Sequence, residues 1–235
     1  MLKADFHIHT NYIQKKEGRY TPGWLIKDMA KKGFNVLALT EHASINSLFV
    51  KKNYDNAMNT YFRFKDYAKK KNILLIKGVE KHIEGKEVLI LNYDKFKEIN
   101  NFNDLEKVRD ENGLIIAPHP FYPWGLGKDL TKNIKLFDAL EYSTNYIKEI
   151  NFFNKKAEKV AKENKRTLLA NSDAHWKFQL GNNYNIIDAD LKVDSILEAV
   201  RKNKVKIFTK PLTLPQYMFI TAWVLESKTR KTLMV

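Results

Sequence analysis

The sequence predicts an α/β protein built around a largely parallel sheet. Short apolar runs alternate roughly seven times with longer segments of helical period, and this alternation is typical of repeated βαβ units. The chain of 235 residues fits a single barrel, a class that reaches about 250 residues in one domain, or an open doubly wound sheet. The glycine-rich loops Gly-x-Gly-x-x-Gly and Gly-x-x-x-x-Gly-Lys-Ser/Thr, which mark nucleotide-binding open sheets, are absent from the sequence.

Each strand is predicted where an apolar run ends at polar or turn-forming residues. A further hairpin strand, Glu87–Leu91, is predicted to follow the third strand across the turn Glu84-Gly85-Lys86. The predicted main strands are Ala4–His9, Val36–Thr40, Leu74–Glu80, Leu114–His119, Ala139–Tyr142, Thr167–Asn171 and Lys204–Phe208.

The helices between these strands are predicted from capping and stop signals. Thr21-Pro22 is typical of an N-cap followed by proline at the first helical position, and Gly33 predicts the end of that helix. Phe102-Asn103-x-x-Glu106 fits a capping box with a hydrophobic residue before it. The remaining predicted helices are Asn56–Lys71, Asn103–Asn112, Ile147–Asn164 and Ser195–Asn203. We expect residues 1–210 to form one domain and residues 211–235 a short helical extension with a basic tail.

The composition limits the chemistry of any functional site. The chain has no cysteine, which excludes a disulfide scaffold, a Cys₄ zinc site, an iron–sulfur cluster and a thiol nucleophile. Any metal must therefore be held by nitrogen and oxygen ligands. The net charge of +14 comes mostly from lysine, which fits a solvated surface as well as an anionic substrate or nucleic acid. No targeting segment or membrane span is predicted, so we expect a soluble cytoplasmic protein without a membrane partner.

The positions of the histidines are more informative than their number. Five of the six lie at the carboxyl end of a predicted strand or just beyond it, and these ends form the active-site rim in parallel α/β folds. Each of these histidines taken alone has an ordinary explanation as a solvated or turn residue. Their common register with the strand ends instead favours a metal site. The five are His7, His9, His42, His119 and His175, and His82 follows Glu80 at the end of the third strand.

Two of the motifs show why these residues suit metal binding. Alternate side chains of a strand point to the same face, so His7 and His9 can chelate one divalent cation. His119 lies between Pro118 and Pro120, which restrict its backbone and favour a fixed orientation. Glu41 would point away from its neighbours if its strand continued, and we interpret it as structural.

Taken in order, the motifs resemble those of the PHP family, the polymerase and histidinol phosphatase superfamily of metal-dependent phosphoesterases. The resemblance covers approximately residues 1–210 and implies a distorted (βα)₇ TIM-like barrel. It implies a site for two or three divalent cations at the carboxyl ends of the strands. The motifs that carry it are His7-x-His9-Thr10, Thr40-Glu41-His42, Gly78-Val79-Glu80, His119-Pro120 and Ser172-Asp173-Ala174-His175.

The resemblance assigns ligands residue by residue. It places His7, His9, Glu80 and Asp173 around one cation. Glu80 would bridge to a second cation that His119 also binds. A third cation would be held by His42 and His175.

The sequence departs from the family pattern at two ligand positions. Where many relatives carry Ser-Asp-Gly soon after the first motif, this chain has a longer segment in which Glu17-Gly18 is the nearest match. Where many relatives open the hairpin strand with histidine, this chain has Glu87, and either Glu87 or His82 would complete the second position. Asp5 is expected to lie behind the ligands and to accept a hydrogen bond from the other ring N–H of a metal-bound imidazole.

The function implied is hydrolysis of a phosphomonoester or nucleotide phosphoester by a metal-activated hydroxide, with zinc, manganese or iron as the cation. Asp173 and His175 are the candidates for catalytic proton transfer. Trp124, Lys128 and Arg19 are candidate substrate-binding residues at the rim. The partner expected is a small phosphorylated substrate, and a nucleotide or short nucleic acid is a second option.

Three alternatives stay open from the sequence. Within the enzyme class, the substrate would be histidinol phosphate rather than a nucleotide. In a different class, the chain would bind nucleic acid through a catalytically idle barrel. Related barrels also hydrolyse amide or C–N bonds, usually with a carboxylated lysine, although no lysine in this sequence is convincingly placed for that role.

Overall fold

The predicted mixed α/β fold is confirmed by the computed structural model, which describes residues 1–13, 18–43 and 57–232. Within these ranges the strands are β1 (Leu2–Ile8), β2 (Val36–Leu39), β3 (His42–Ala43), β4 (Leu74–Ile83), β5 (Lys86–Leu91), β6 (Leu114–Ala117), β7 (Ala139–Tyr142), β8 (Thr167–Ala170), β9 (Asn183–Ile187) and β10 (Val205–Thr209). The α-helices are α1 (Pro22–Lys31), α2 (Asn59–Lys69), α3 (Leu105–Asp110), α4 (Lys128–Asn133), α5 (Phe152–Glu163), α6 (Val193–Arg201) and α7 (Leu214–Thr232).

The strands form one mixed sheet that closes nearly into a barrel. Its order over the described ranges is β10-β9-β1-β2-β4-β5-β6-β7-β8, and β3 pairs with β4 beside this path. The β1–β2–β4 and β6–β7–β8 pairings are parallel, whereas β5 is antiparallel to both neighbours. Because parallel strands end at the same edge of a sheet, the residues after β1, β2 and β8 meet at one mouth.

Asn185 of β9 bonds to β8, the strand at the opposite end of the sheet order. Its Oδ1 accepts a hydrogen bond from the Ala170 amide at 2.8 Å, and its Nδ2 donates to the Ala170 carbonyl at 3.0 Å. Nδ2 also lies 2.9 Å from Oδ1 of Asn171. A single buried amide thus pairs with the backbone of β8 much as a neighbouring strand would, and this bonding closes the barrel.

Apolar side chains fill the interior below the mouth. Phe6 of β1, Ile76 of β4, Ile116 of β6 and Leu169 of β8 belong to one buried cluster, to which α6 adds Leu197. Apolar burial of this kind stabilises a strand core by roughly 1.5–3 kcal/mol per large side chain. The candidate ligands His9, Glu80 and His119 lie instead toward or just beyond the carboxyl ends of their strands.

The helices cover the outside of the sheet, and their caps test the sequence signals. Thr21 Oγ1 accepts from the Trp24 amide at 3.3 Å, as predicted, and Gly33 adopts φ +76° just after α1. The capping box predicted at Asn103 and Glu106 is wrong. Asn101 and Asp104 form it instead, because each side chain accepts from the other's backbone amide, and a 3₁₀ turn precedes α3.

Two strands of the structure were absent from the prediction. β3 is only two residues long, and β9 carries Asn183 and Asn185, which interrupt its apolar pattern. Both asparagines are fully buried because they bond to the backbone of other strands. Asn56, the first residue of the predicted helix Asn56–Lys71, lies outside the described residues.

Residues 214–232 form the 19-residue helix α7, which packs against the barrel rim. Leu212 and Ile220 are buried against Ile147, and the Leu212 amide donates to the Tyr146 carbonyl at 2.9 Å. The C-terminal extension is therefore attached to the barrel by both apolar and backbone contacts. Residues 233–235 of the predicted extension lie outside the described residues. Across the described ranges, every helix is too short or too polar to cross a bilayer.

Replacing Asn185 by alanine is expected to destabilise the barrel, since two backbone groups of Ala170 lose their bonds in a buried place. We expect a loss of roughly 2–4 kcal/mol in the free energy of unfolding, measured by urea denaturation. The control is Asn164→Ala at the exposed end of α5, where the asparagine bonds only to the Val160 carbonyl. Equal losses in the two variants would contradict the closure by Asn185.

Candidate metal centre

The strand ends bring four side chains to one point at the mouth. Nε2 of His7 lies 3.1 Å from Nε2 of His9, 3.3 Å from Oε1 of Glu80 and 3.4 Å from Oδ1 of Asp173. Nε2 of His9 lies 3.4 Å from Oε2 of Glu80 and 3.3 Å from Oδ1 of Asp173. Two imidazole nitrogens and two carboxylates that converge in this way form a suitable site for a divalent cation.

Backbone contacts and unusual conformations hold these ligands in place. The His9 amide donates to the Ala174 carbonyl at 3.2 Å, which ties the end of β1 to the segment after β8. Asp173 adopts φ +44° and His119 adopts φ +30°, a region that non-glycine residues rarely occupy. Such backbone strain is found mainly where the surrounding structure fixes a functional side chain.

A second group of ligands adjoins the first and shares Glu80 with it. It consists of Glu80, Glu87 and His119, whose ligand atoms lie within 4.8 Å of one another. Nε2 of His119 lies 3.5 Å from Oε1 of Glu80 and 3.6 Å from Oε2 of Glu87. Glu80 is therefore placed to bridge two neighbouring cations.

The other histidines surround these two groups. Nδ1 of His42 lies 2.9 Å from Oε2 of Glu80, and His42 also groups with His9 and His175. Nε2 of His82 lies 3.2 Å from Oε1 of Glu87. Both residues considered for the second position are thus present, with Glu87 beside His119 and His82 beside Glu87.

Several carboxylates converge on the imidazole of His7. Burial disfavours its charged form, but the nearby carboxylates of Asp173, Glu141 and Glu80 outweigh this effect and raise the pKa of His7 well above 6.5. Similarly, burial opposes charge on His119, but its bond to Glu80 and the charge of Glu87 raise its pKa to about 9. The centre therefore has an excess of buried negative charge that favours a cation.

Two other imidazoles of the centre, those of His9 and His175, are held in the neutral form. Burial and the neighbouring His42 keep the pKa of His9 well below its usual value, and burial beside His9 lowers the pKa of His175 to about 3. Nδ1 of His175 lies 3.0 Å from the Asp173 carbonyl, which can only accept. The proton is therefore on Nδ1, and Nε2 retains the lone pair that a cation requires.

Glu141 of β7 is the site residue that the sequence analysis missed. Its Oε2 accepts from Nδ1 of His7 at 2.8 Å and from Nδ2 of Asn171 at 3.1 Å, and its Oε1 accepts from the His119 amide at 3.2 Å. One buried carboxylate thus orients a ligand of the first group and the backbone of a ligand of the second. The only sequence signal was an acidic residue near the end of an otherwise apolar strand.

The contact predicted for Asp5 is made by Glu141. Asp5 accepts instead from the backbone amides of His7 at 3.3 Å and Ser172 at 3.1 Å, so it fixes the backbone of β1 and of the segment after β8. Burial raises the pKa of Asp5 to about 7. Glu41, interpreted as structural, accepts from the amide and hydroxyl of Thr10.

Two of the three candidate substrate-binding residues, Trp124 and Arg19, lie beside histidines of the mouth. The Trp124 ring centroid is 6.3 Å from that of His119, and the exposed Lys128 begins α4. The Arg19 guanidinium lies 4.7 Å from the Trp176 ring, and the Arg19 amide donates to the His175 carbonyl at 2.9 Å. Glu17 lies outside the described residues, so its role as a ligand stays a prediction.

Comparison with known families supports the resemblance that the motifs suggested. Residues 151–205 match the model of the PHP-associated family PHP_C, a stretch that includes β8 and Asp173. The chain belongs to the PHP superfamily. A relative among curated proteins is MJ1587 of Methanocaldococcus jannaschii, an uncharacterized protein. It is 30% identical over 132 residues, which are 52% of this chain and 70% of MJ1587.

Solved structures of low sequence identity share the fold of this PHP protein. A two-domain protein from Bacteroides vulgatus, which contains a predicted PHP-like metal-dependent phosphoesterase, matches with a TM-score of 0.68 at 18% identity. The match covers 89% of this chain but only 65% of that protein. An amidohydrolase from Chromobacterium violaceum with bound sulfate matches with a TM-score of 0.56 at 12% identity, over 88% of this chain and 93% of its own.

An unsatisfied carboxylate oxygen of the PHP barrel supports a cation at the first position. Oε1 of Glu80 is buried and makes no well-formed hydrogen bond among the described residues, although Nε2 of His7 and Nε2 of His119 lie 3.3 and 3.5 Å from it. An unpaired buried carboxylate oxygen is costly unless a cation binds it. The nitrogen and oxygen donors also match the preference of zinc, manganese and iron for imidazole and carboxylate.

The bridging position of Glu80 predicts different effects for two neighbouring carboxylates. We expect Glu80→Gln to lower the metal content of the purified protein at both positions, whereas Glu87→Gln lowers it at one. Elemental analysis after equilibration with Mn²⁺ or Zn²⁺ measures the cations bound per chain. The exposed Glu84→Gln in the same hairpin is the control. Equal metal loss in the Glu80 and Glu87 variants would contradict a bridge.

Glu141→Gln is expected to weaken metal binding by about 10- to 100-fold, since it disturbs the partner that orients His7. Competition with a chelator of known affinity measures the change. Asp138→Asn is the matched control, because Asp138 is another buried carboxylate beside β7 that bonds the Ile115 amide at 2.9 Å, remote from the ligands. If the two variants bound metal equally well, Glu141 would not be a positioning residue.

Proposed function

We propose that this PHP protein is a metal-dependent phosphoesterase. The observation that carries the proposal is a pair of adjacent ligand groups that share one carboxylate, Glu80. Sites of two closely spaced cations are common in enzymes that displace a group from phosphorus in line, since both the attacking and the leaving oxygen need charge stabilisation.

His7, His9, Glu80 and Asp173 would hold one cation, and Glu80, Glu87 and His119 the second. When bound, cations at such positions lower the pKa of water and neutralise charge on the phosphate. His42 and His175 would hold a third. Zinc, manganese and iron each suit these donors, and the chain has no thiolate that would single out zinc.

The residues at the open side of the centre would move the protons. The Asp173 side chain retains 24% exposure, while Glu80 is almost completely buried. Asp173 can therefore contact substrate as well as a cation. His175 holds its proton at Nδ1 toward the Asp173 carbonyl, so its Nε2 is able to accept a proton or bind a cation. Either residue would take up the proton released by the attacking water and deliver it to the leaving alcohol.

The substrate proposed is a small phosphorylated molecule, with a nucleotide or short nucleic acid as a further option. Arg19 and Lys128 are exposed cations of the rim that would contact phosphate, and Trp124 lies beside His119 for contact with an organic group. Histidinol phosphate stays a candidate within this class. The net charge of +14 fits any of these anions and selects none.

Hydrolysis of an amide or another C–N bond is a second candidate, because an amidohydrolase is among the proteins that share the fold. Glu80 would bridge the two cation positions in this chain, whereas related C–N hydrolases usually rely on a carboxylated lysine, so the ligand chemistry favours phosphoesters. Binding of nucleic acid by an idle barrel would require that the convergent ligands have no catalytic use.

Hydrolysis of a panel of phosphomonoesters, phosphodiesters and amides by the Mn²⁺-, Zn²⁺- or Fe²⁺-loaded protein tests the proposal. We expect phosphoester turnover that a chelator abolishes, with His7→Ala and Asp173→Ala each losing at least about 100-fold in kcat/KM. The exposed Asp94→Asn serves as the control. Turnover of amides alone would support the second candidate. Tight, salt-sensitive nucleic-acid binding without any hydrolysis would favour the idle barrel.

A further inference from the structure

The histidines of the metal centre form a continuous row that ends at a tryptophan on each side. Ring centroids of successive members are 5.9 Å apart for His119 and His7, 5.0 Å for His7 and His9, and 4.3 Å for His9 and His175. Trp124 adjoins His119 at 6.3 Å, and Trp223 adjoins His175 at 4.7 Å. The mouth is thus bounded at both ends by indole rings.

Trp223 reaches this position from α7, in the part of the chain that the sequence analysis treated as an extension. The buried Ile220, one turn earlier on α7, anchors the helix against Ile147. The Trp223 ring lies 56° from the plane of the His175 ring and meets Trp176 almost perpendicularly, at 89° and 6.3 Å. The neighbouring Phe219 contacts Trp176 at 4.6 Å. These contacts fix the ring while leaving Trp223 only half-buried.

The positively charged Arg19 side chain lies on the same side of the mouth as these rings. The Arg19 guanidinium lies over Trp176, and the Arg19 amide bonds to the backbone of His175. An aromatic surface next to a positive charge and a metal centre is suited to a ligand with both a planar group and a phosphate. The planar group would lie on an indole ring at the rim while the phosphate reaches the metal-ion positions.

We propose that Trp223 of α7 is a specificity-determining residue, against which a planar ring carried by the substrate's leaving alcohol stacks. The proposal rests on the phosphoesterase function and refines its substrate class to phosphomonoesters whose alcohol bears an unsaturated ring. Helix α7 then lines one side of the substrate site, and the contacts with His175 and Trp176 hold the Trp223 ring in position. A sugar or alkyl phosphate that has no unsaturated ring makes no stacking contact with Trp223.

Two substrates with the same leaving oxygen test the proposal. Uridine 5′-monophosphate and ribose 5-phosphate both release a primary ribose alcohol, so their kcat/KM ratio isolates the effect of the base. We expect the wild-type protein to prefer the nucleotide and Trp223→Ala to lower that ratio by about 5- to 100-fold, the usual effect of removing one base-stacking ring. Trp223→Phe keeps a smaller ring and should lower the ratio less.

Met218→Ala, at a position of α7 that is 62% exposed, is the matched control and should leave the ratio unchanged. Circular dichroism and metal content show whether each variant is folded. If Trp223→Ala is unfolded, the Phe variant decides. An unchanged ratio in a folded Trp223 variant, or a wild-type ratio near one, would overturn the proposal even if both phosphates are hydrolysed.

A binding measurement separates this proposal from the phosphoesterase function. Uridine and ribose carry no phosphate, so their binding is measured independently of hydrolysis. Saturation-transfer NMR on the metal-free protein reports whether the base protons of uridine contact the protein. We expect contact with uridine that Trp223→Ala removes and Met218→Ala retains. If uridine binds in this way but the protein hydrolyses no phosphoester, the phosphoesterase function is refuted and the stacking of a ring on Trp223 is retained. If the protein hydrolyses phosphoesters but the uridine base makes no contact that depends on Trp223, only the stacking proposal is refuted.

Discussion

The buried carboxylate of Glu80 is the group on which the rest of the structure depends. Its oxygens lie 2.9–3.5 Å from nitrogens of His42, His7, His9 and His119. Burial opposes its ionisation, yet the charges of His42 and His7 hold its pKa well below the usual range. A buried anion must be compensated from several directions at once, and here the compensating groups arrive from three separate segments of the chain.

The barrel is the means by which those segments meet. β1 supplies the first histidines, β3 supplies His42, and the turn after β6 supplies His119, while Glu80 itself lies on β4. The apolar interior below keeps the strand ends in register, while Asn185 closes the gap between β8 and β9. Glu141 then ties the two ligand groups together from behind. The fold therefore acts as a rigid frame for ligands that approach from one side, and the mouth stays open for a substrate.

The sequence predicted what is encoded locally. His7-x-His9 and the other histidines stood out because strand periodicity and strand ends are visible over a few residues. Glu141 did not, because its partner His7 is 134 positions away and only the closed barrel brings them together. β9 was missed for a similar reason, since its asparagines are polar residues whose buried bonds lie on other strands. Trp223 gave no local signal either, and its position became evident only from the packing of α7 on the rim.

The central claim is that Glu80 joins two cation positions, and anomalous diffraction from crystals grown or soaked with Mn²⁺ or Zn²⁺ tests it most directly. The account predicts two anomalous peaks about 3.5–4 Å apart, each within about 2.3 Å of a Glu80 oxygen. One of them should lie among His7, His9 and Asp173, and the other beside Glu87 and His119. A single peak, or two peaks of which one does not contact Glu80, would contradict the account.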